Sequence, residues 1–276
     1  PQGVLLSILE RLGLAFGPAP NALTSFDQTV YQLDLPQTDT ETVSTALMIM
    51  RDMVGGATLA ADAIDRERGI VLSEERTRAS PGLRLAQANF DFLMRGQRAR
   101  QRFPIGDTDV LSNAPRDRFT AFYDAYYRPE RTTLVAVGDF DVEAMEARIQ
   151  GQFSDWSNAH PNGAEPDLGA VAPRTPEAFI FSEAGAPLMI ELAWVAPPEL
   201  TPDTIENRRR ELIRSLGFAV LNRRLQSLGR QDNPAFVSAS ASRSTLFDSQ
   251  DQVSLTASYR PGEWQRALAM LDQERR

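Results

Sequence analysis

Glutamates at positions 67 and 74 stand seven apart in the run Glu67-Arg68-Gly69-Ile70-Val71-Leu72-Ser73-Glu74-Glu75. At about 3.6 residues per turn this is close to two turns of helix, so both carboxylates share one face. Such a pair suits one metal ligand and one supporting acid. The spacing fits a solvated charged face equally well, because Arg66, Arg68, Arg76 and Arg78 accompany the acids. A complete metal centre needs more donors. The chain has one histidine, His160, and no cysteine, so it holds one part of a metal site whose other parts lie elsewhere. Thiolate sites and disulfides are excluded. His160 sits in Asn158-Ala159-His160-Pro161-Asn162 and reads as an exposed loop histidine, not a ligand.

Other chemistries find little support. There is no Gly-x-Ser-x-Gly elbow, and serines and aspartates without a nearby histidine cannot form a triad. Gly-rich phosphate loops are missing. Net charge is −8, with 29 basic and 37 acidic residues, which speaks against nucleic acid as the main partner. The densest basic stretch, Arg95 to Arg102, reads as a solvated connection. No apolar run approaches the length of a membrane span.

The helix bearing Glu67 and Glu74 is expected from about Leu59 to Ala79. Ahead of it, Val4 to Leu12 reads as the end of an amphipathic helix, followed by a turn-rich stretch to Asn21. Thr29 to Leu35 alternates like a half-buried strand. Thr38-Asp39-Thr40-Glu41 resembles a capping box and opens a helix with Val43, Leu47, Met50 and Val54 inward. Further helices are expected at Leu83 to Arg95, Arg116 to Tyr127 and, capped by Asp141, to about Phe153. Helical spacing makes the aromatic side chains of Arg116 to Tyr127 core packing rather than a binding platform. Thr132 to Val137 reads as a β-branched strand. After a Pro- and Gly-rich stretch from Asn158 to Pro176 the pattern restarts. Strands are expected at Ala178 to Phe181, Met189 to Val195, Val237 to Ser242 and Val253 to Tyr259. A helix opening at Pro202 covers Ile205 to Leu228, and Trp264 begins a last one. Strand, proline, Thr/Asp cap and long helix recur in both halves, at Val30 to Thr40 and again at Met189 to Thr204, as duplication of one α+β unit would produce.

Several motifs in order resemble the pitrilysin/insulinase (M16) family of zinc metallopeptidases. These are Asn21-Ala22-Leu23-Thr24 with Asp27-Gln28-Thr29-Val30-Tyr31, Glu67-Arg68-x-x-Val71-x-x-Glu74, and Pro104-Ile105-Gly106. Phe122-Tyr123-x-x-Tyr126-Tyr127-x-Pro129 and Leu134 to Asp141 follow. The resemblance implies an α+β fold of two related domains, each a mainly antiparallel sheet with helices packed on one face. Residues 1–160 would form a catalytic-type domain lacking its opening strand and zinc-motif helix. Residues 161–176 would be a linker, and residues 177–276 a second, non-catalytic domain cut at its end.

It also implies a Zn²⁺ cofactor and a zinc-activated water that hydrolyses peptide bonds. Glu74 would be the third protein ligand. Glu67 would support the site without binding the metal. Asn21 and Ala22 would lie on the edge strand that receives an extended peptide. The family's His-x-x-Glu-His element, carrying two ligands and the general base, is absent. The resemblance places it upstream of Pro1, so the chain alone is expected to be inactive. Expected partners are a peptide or protein substrate and the remaining half of the enzyme, on the same polypeptide or another. Exported bacterial relatives imply the periplasm. The competing expectation is a non-catalytic scaffold subunit or peptide-binding module of the same fold.

Overall fold

The computed structural model describes residues 22–276. The helix expected at Val4 to Leu12, the turn after it and Asn21 lie outside the described residues. The chain divides into two compact units. One takes the residues up to Glu75 together with Phe103–Pro166, and the other takes Arg76–Arg102 with Asp167–Arg276.

In the first unit β1 (Ala22–Thr24) and β2 (Thr29–Tyr31) form an antiparallel hairpin in the register Ala22↔Tyr31. Ser25 N–H closes its turn on the Gln28 carbonyl at 2.8 Å. The strand expected to reach Leu35 thus stops at Tyr31.

Helix α1 (Thr40–Gly55) follows. Its cap is Asp39, not the expected Thr38. One Asp39 oxygen accepts the Glu41 and Thr42 amides, each at 3.0 Å, and the other accepts the Thr42 hydroxyl at 2.6 Å. A carboxylate serves all three donors at once, which a single hydroxyl cannot. Val43, Ala46, Leu47 and Ile49 are buried, and α1 packs on α6 (Val142–Phe153). Trp156 closes this small core. Gly55 leaves it room, since a Cβ there would sit 2.7 Å from the indole nitrogen.

Helix α2 (Ala61–Arg78) carries the two glutamates. Helices α3 (Pro81–Leu93), α4 (Thr108–Asn113) and α5 (Arg116–Tyr126) come next. Ser80 caps α3 with Pro81 at its first position, and Asp107 caps α4. The turn before α4 uses Gly106 at φ +84°, a backbone state that a side chain resists.

Thr132 to Val137 does not form a strand. Val135 and Val137 are 76% and 91% exposed, and no described strand lies beside them. β-branched residues favour extension, but a ladder needs a partner for its N–H and C=O groups. Ala178 to Phe181 is unladdered for the same reason.

The second unit holds a three-stranded antiparallel sheet in the order β3-β5-β4, made of β3 (Met189–Ala196), β4 (Ser238–Leu246) and β5 (Gln250–Ser258). Helices α7 (Ile205–Gly229) and α8 (Trp264–Glu274) pack on one face. Thr204, not a proline-led turn at Pro202, caps α7 by accepting the Asn207 amide at 3.2 Å. Alternation along the strands separates two faces. Ile190, Leu192, Ala239, Ala241, Leu255 and Ala257 meet Phe218, Leu221, Leu225, Ala267 and Leu271 in an apolar core. The other face is polar. Glu191 accepts Ser254 Oγ at 2.6 Å and Asn89 Nδ2 at 2.8 Å, and Gln97 bridges Gln250 and Ser249, each at 2.7 Å. These amides and hydroxyls satisfy one another, so their burial carries no desolvation penalty from unpaired groups.

Strand, cap and helix recur as expected at β2 to α1 and at β3 to α7, and a second likeness accompanies them. In the first unit an antiparallel hairpin, β1-β2, leads into α1. In the second, β4-β5 leads into α8.

Candidate functional site

Glu67 and Glu74 both lie on α2. Glu67 is exposed and Glu74 half-buried. Helix α2 buries no residue completely, and Ile70 on its surface is exposed. Its position is therefore set by specific polar contacts more than by an apolar stripe.

Two arginines make those contacts, and Tyr123 fixes the end of α1 ahead of them. The Arg68 guanidinium, mostly buried at 16% exposure, donates to the Leu111 carbonyl and to the Ala114 carbonyl at 2.7 Å. Both acceptors lie at the C-terminal end of α4, where helix carbonyls lack internal partners. The same guanidinium sits 5.5 Å over the Phe119 ring of α5. Arg116 at the start of α5 donates to the Leu59 and Thr58 carbonyls at 2.7 and 3.2 Å, which fixes the segment entering α2. Tyr123 accepts the Ala57 amide at 3.2 Å and donates to the Met53 carbonyl at 3.1 Å.

The hairpin joins the same set of contacts. Tyr31 of β2 and Tyr127 share a hydroxyl contact at 3.4 Å, and Tyr127 stacks on Tyr123 at 4.6 Å. Burial raises the Tyr31 phenol above its ordinary value, and the bond to Tyr127 adds to that. Burial likewise raises Tyr123. The aromatic side chains of α5 were expected to be core. In the structure the tyrosines act as braces with satisfied hydroxyls, while Phe122 is exposed.

Ala22 sits in β1, exposed and paired with Tyr31. Among the described residues the other edge of β1 carries no strand. Asn21 lies outside the described residues. His160 is exposed, with Nε2 3.7 Å from an Asp124 oxygen. Its carbonyl accepts the buried Arg128 guanidinium at 2.7 Å.

Among the described residues no three His, Cys, Asp or Glu side chains come together to hold a metal ion. Protein zinc takes about four ligands, mostly nitrogen and sulfur. Glu74 offers oxygen alone, so the described residues do not fit zinc unaided. No helix among them is long and apolar enough to cross a membrane. The braces Arg68, Arg116 and Tyr123 had no signal in the sequence beyond Arg68 and Tyr123 lying inside recognised motifs.

The fold defined by these antiparallel sheets and their helices is that of insulinase-type proteases. The first half of the periplasmic protease PqqL from Escherichia coli superposes with a TM-score of 0.84 at 24% identity, covering 98% of this chain and 58% of that one. The ferredoxin protease FusC, solved with Arabidopsis ferredoxin, superposes with a TM-score of 0.76 at 21% identity, covering 98% of this chain and 30% of that one. Family models agree. "Insulinase (Peptidase family M16)" matches residues 1–93 and "Peptidase M16 inactive domain" matches residues 113–273. The chain belongs to peptidase family M16. A probable zinc protease PqqL of Haemophilus influenzae is 28% identical over 248 residues, 89% of this chain and 27% of that protein. The chain thus spans about a quarter of the length of the curated relatives it matches.

Proposed function

We propose that these residues form part of the N-terminal half of a zinc-dependent endopeptidase that hydrolyses peptide bonds in peptide or protein substrates. Glu74 is its third metal ligand, and Glu67 a supporting carboxylate beside the metal. The remaining ligands come from outside the described residues, since His160 is the only histidine and cysteine is lacking. Asn21 and Ala22 line the strand edge on which an extended substrate adds, with backbone hydrogen bonds supplying affinity.

The observation that carries this reading is the motif Glu67-Arg68-x-x-Val71-x-x-Glu74 on one helix of an M16 fold. Its arginine is the brace that fixes that helix. The domain assignment follows the same reading, with a catalytic-type domain over residues 1–160, a connection over 161–176 and a non-catalytic domain over 177–276. The periplasm is the proposed compartment, by analogy with the Escherichia coli relative. The other half of the enzyme, on the same polypeptide or a second one, is the proposed partner.

The match of residues 113–273 to an inactive-domain family favours a second reading, a non-catalytic scaffold of the same fold. Peptide cleavage by the parent polypeptide separates the two. The enzyme reading expects cleavage that a chelator abolishes, lost in Glu74→Gln and reduced in Glu67→Gln, with the 276-residue chain inactive alone. Absence of cleavage by a folded, zinc-loaded parent supports the scaffold.

A further inference from the structure

Asn162 is the only asparagine of this chain that precedes glycine. Asparagine is thermolabile, and a glycine after it removes the side chain that would hinder ring closure by the next backbone nitrogen. Packing demands the glycine. A Cβ at Gly163 would lie 2.6 Å from the Tyr126 ring, so the fold needs the chemically weakest dipeptide at this point.

Hydrogen bonds surround that dipeptide, all within the first unit. The Gly163 amide donates to the Ala125 carbonyl of α5 at 3.0 Å. Arg131 holds the other side. Its Nε donates to Asn162 Oδ1 at 2.8 Å and its Nη2 to the Gly163 carbonyl at 2.7 Å. The same Nη2 lies 2.7 Å from a Glu165 oxygen, and the guanidinium sits 5.4 Å over the Tyr126 ring. The Tyr126 hydroxyl donates to the Ala164 carbonyl at 3.3 Å. Asn162 itself is exposed, so these bonds and not burial restrain it.

We propose that Asn162 is a latent deamidation site, held dormant by the Arg131 clamp and the Gly163–Ala125 hydrogen bond and released by local opening. In the open state the Gly163 nitrogen attacks Asn162 Cγ. A C–N bond forms and the Cγ–Nδ2 bond breaks. The amide proton passes through water to Nδ2, which leaves as ammonia. One water molecule then opens the five-membered imide at either carbonyl and leaves aspartate or isoaspartate at position 162.

A cation on Oδ1 favours attack on Cγ once the nitrogen is free. In the closed state it is not free. Its hydrogen is committed to Ala125, and removal by base is blocked as it is in hydrogen exchange. Both products mark the site. Aspartate puts a carboxylate beside Arg131, and isoaspartate inserts a carbon into the backbone and draws the Gly163 amide away from Ala125. Neither zinc nor peptide cleavage enters this chemistry.

The test is peptide mapping by mass spectrometry of the parent polypeptide during incubation in mildly alkaline buffer. Conversion at position 162 is read from a gain of about one dalton and from separate elution of the isoaspartyl peptide. Native wild type should convert at least about tenfold more slowly than the same polypeptide in denaturant. A folded Arg131→Met should convert several times faster than native wild type, with the other asparagines unchanged. Equal rates in native and unfolded wild type overturn the proposal. So does an unchanged rate in Arg131→Met, or a slower one, which would make the guanidinium a promoter of cyclisation. Hydrogen exchange at the Gly163 amide needs no variant. It should be slow in the native wild type, and exchange at the unfolded-chain rate overturns the proposal.

Discussion

The two units are held together by different means. In the second, Leu225, Phe236, Leu255, Ala267 and Leu271 are almost completely buried between sheet and helices. In the first, the described core is a small cluster on α1 with Trp156, and α2 and the segment entering it are placed by arginine side chains reaching backbone carbonyls. Apolar burial is strong but non-directional. A hydrogen bond to a chosen carbonyl fixes rotation and axial position. The unit that carries the candidate ligand uses the directional device, and the other unit uses the bulk one.

That contrast can be broken most sharply at Leu225. Leu225→Ala removes a fully buried side chain from the second unit and should cost about 2–5 kcal/mol in chemical denaturation. Arg68→Met tests the first unit's mode. It leaves two carbonyls without their donor and should cost about 1–3 kcal/mol. The loss should appear as faster hydrogen exchange along α2, with β3, β4 and β5 unaffected. Equal exchange changes in both units would erase the distinction.

Acid sharpens the comparison at lower amplitude. Burial alone would raise the Asp251 carboxyl, but the Thr245 hydroxyl and the Arg243 guanidinium outweigh it and hold the acid below its ordinary value. Its folded-state pKa is depressed, so its contribution is complete above the unfolded value of 3.8. That contribution is lost as pH falls through the folded value. Asp251→Asn should flatten the acid limb of the second unit's stability profile. Asp39, whose bonds to Thr42 lower it in the same way, is the smallest case. Asp39→Ala should weaken α1 slightly, through the lost cap, and remove a minor acid-sensitive step below about pH 4. An unchanged acid limb in both variants would remove these carboxylates from the account.

Much of this was readable from local sequence. Asp141 before Val142, the pattern from Leu83 to Arg95 and Trp264 announced helices that the structure contains. Helix starts are local events, decided by a side chain and the next few amides. The strands were readable only where their partners are present. Thr132 to Val137 and Ala178 to Phe181 have strand composition without a described ladder, and composition does not reveal who stands alongside. The shift of the α1 cap from Thr38 to Asp39 turned on three donors that one carboxylate can serve, the Glu41 and Thr42 amides and the Thr42 hydroxyl. Glu67 and Glu74 were legible by spacing and motif. The roles of Arg116 and Tyr123 were not, because their acceptors lie 57 and 70 residues away in the chain.

The central claim is that the carboxylate at position 74 holds a metal in the intact enzyme. Metal analysis of the purified parent by mass spectrometry, wild type against Glu74→Gln, tests it most directly. The account predicts close to one zinc per parent wild-type polypeptide and a large loss in Glu74→Gln, with Glu67→Gln retaining most of its metal. Full zinc occupancy in a folded Glu74→Gln parent would contradict it.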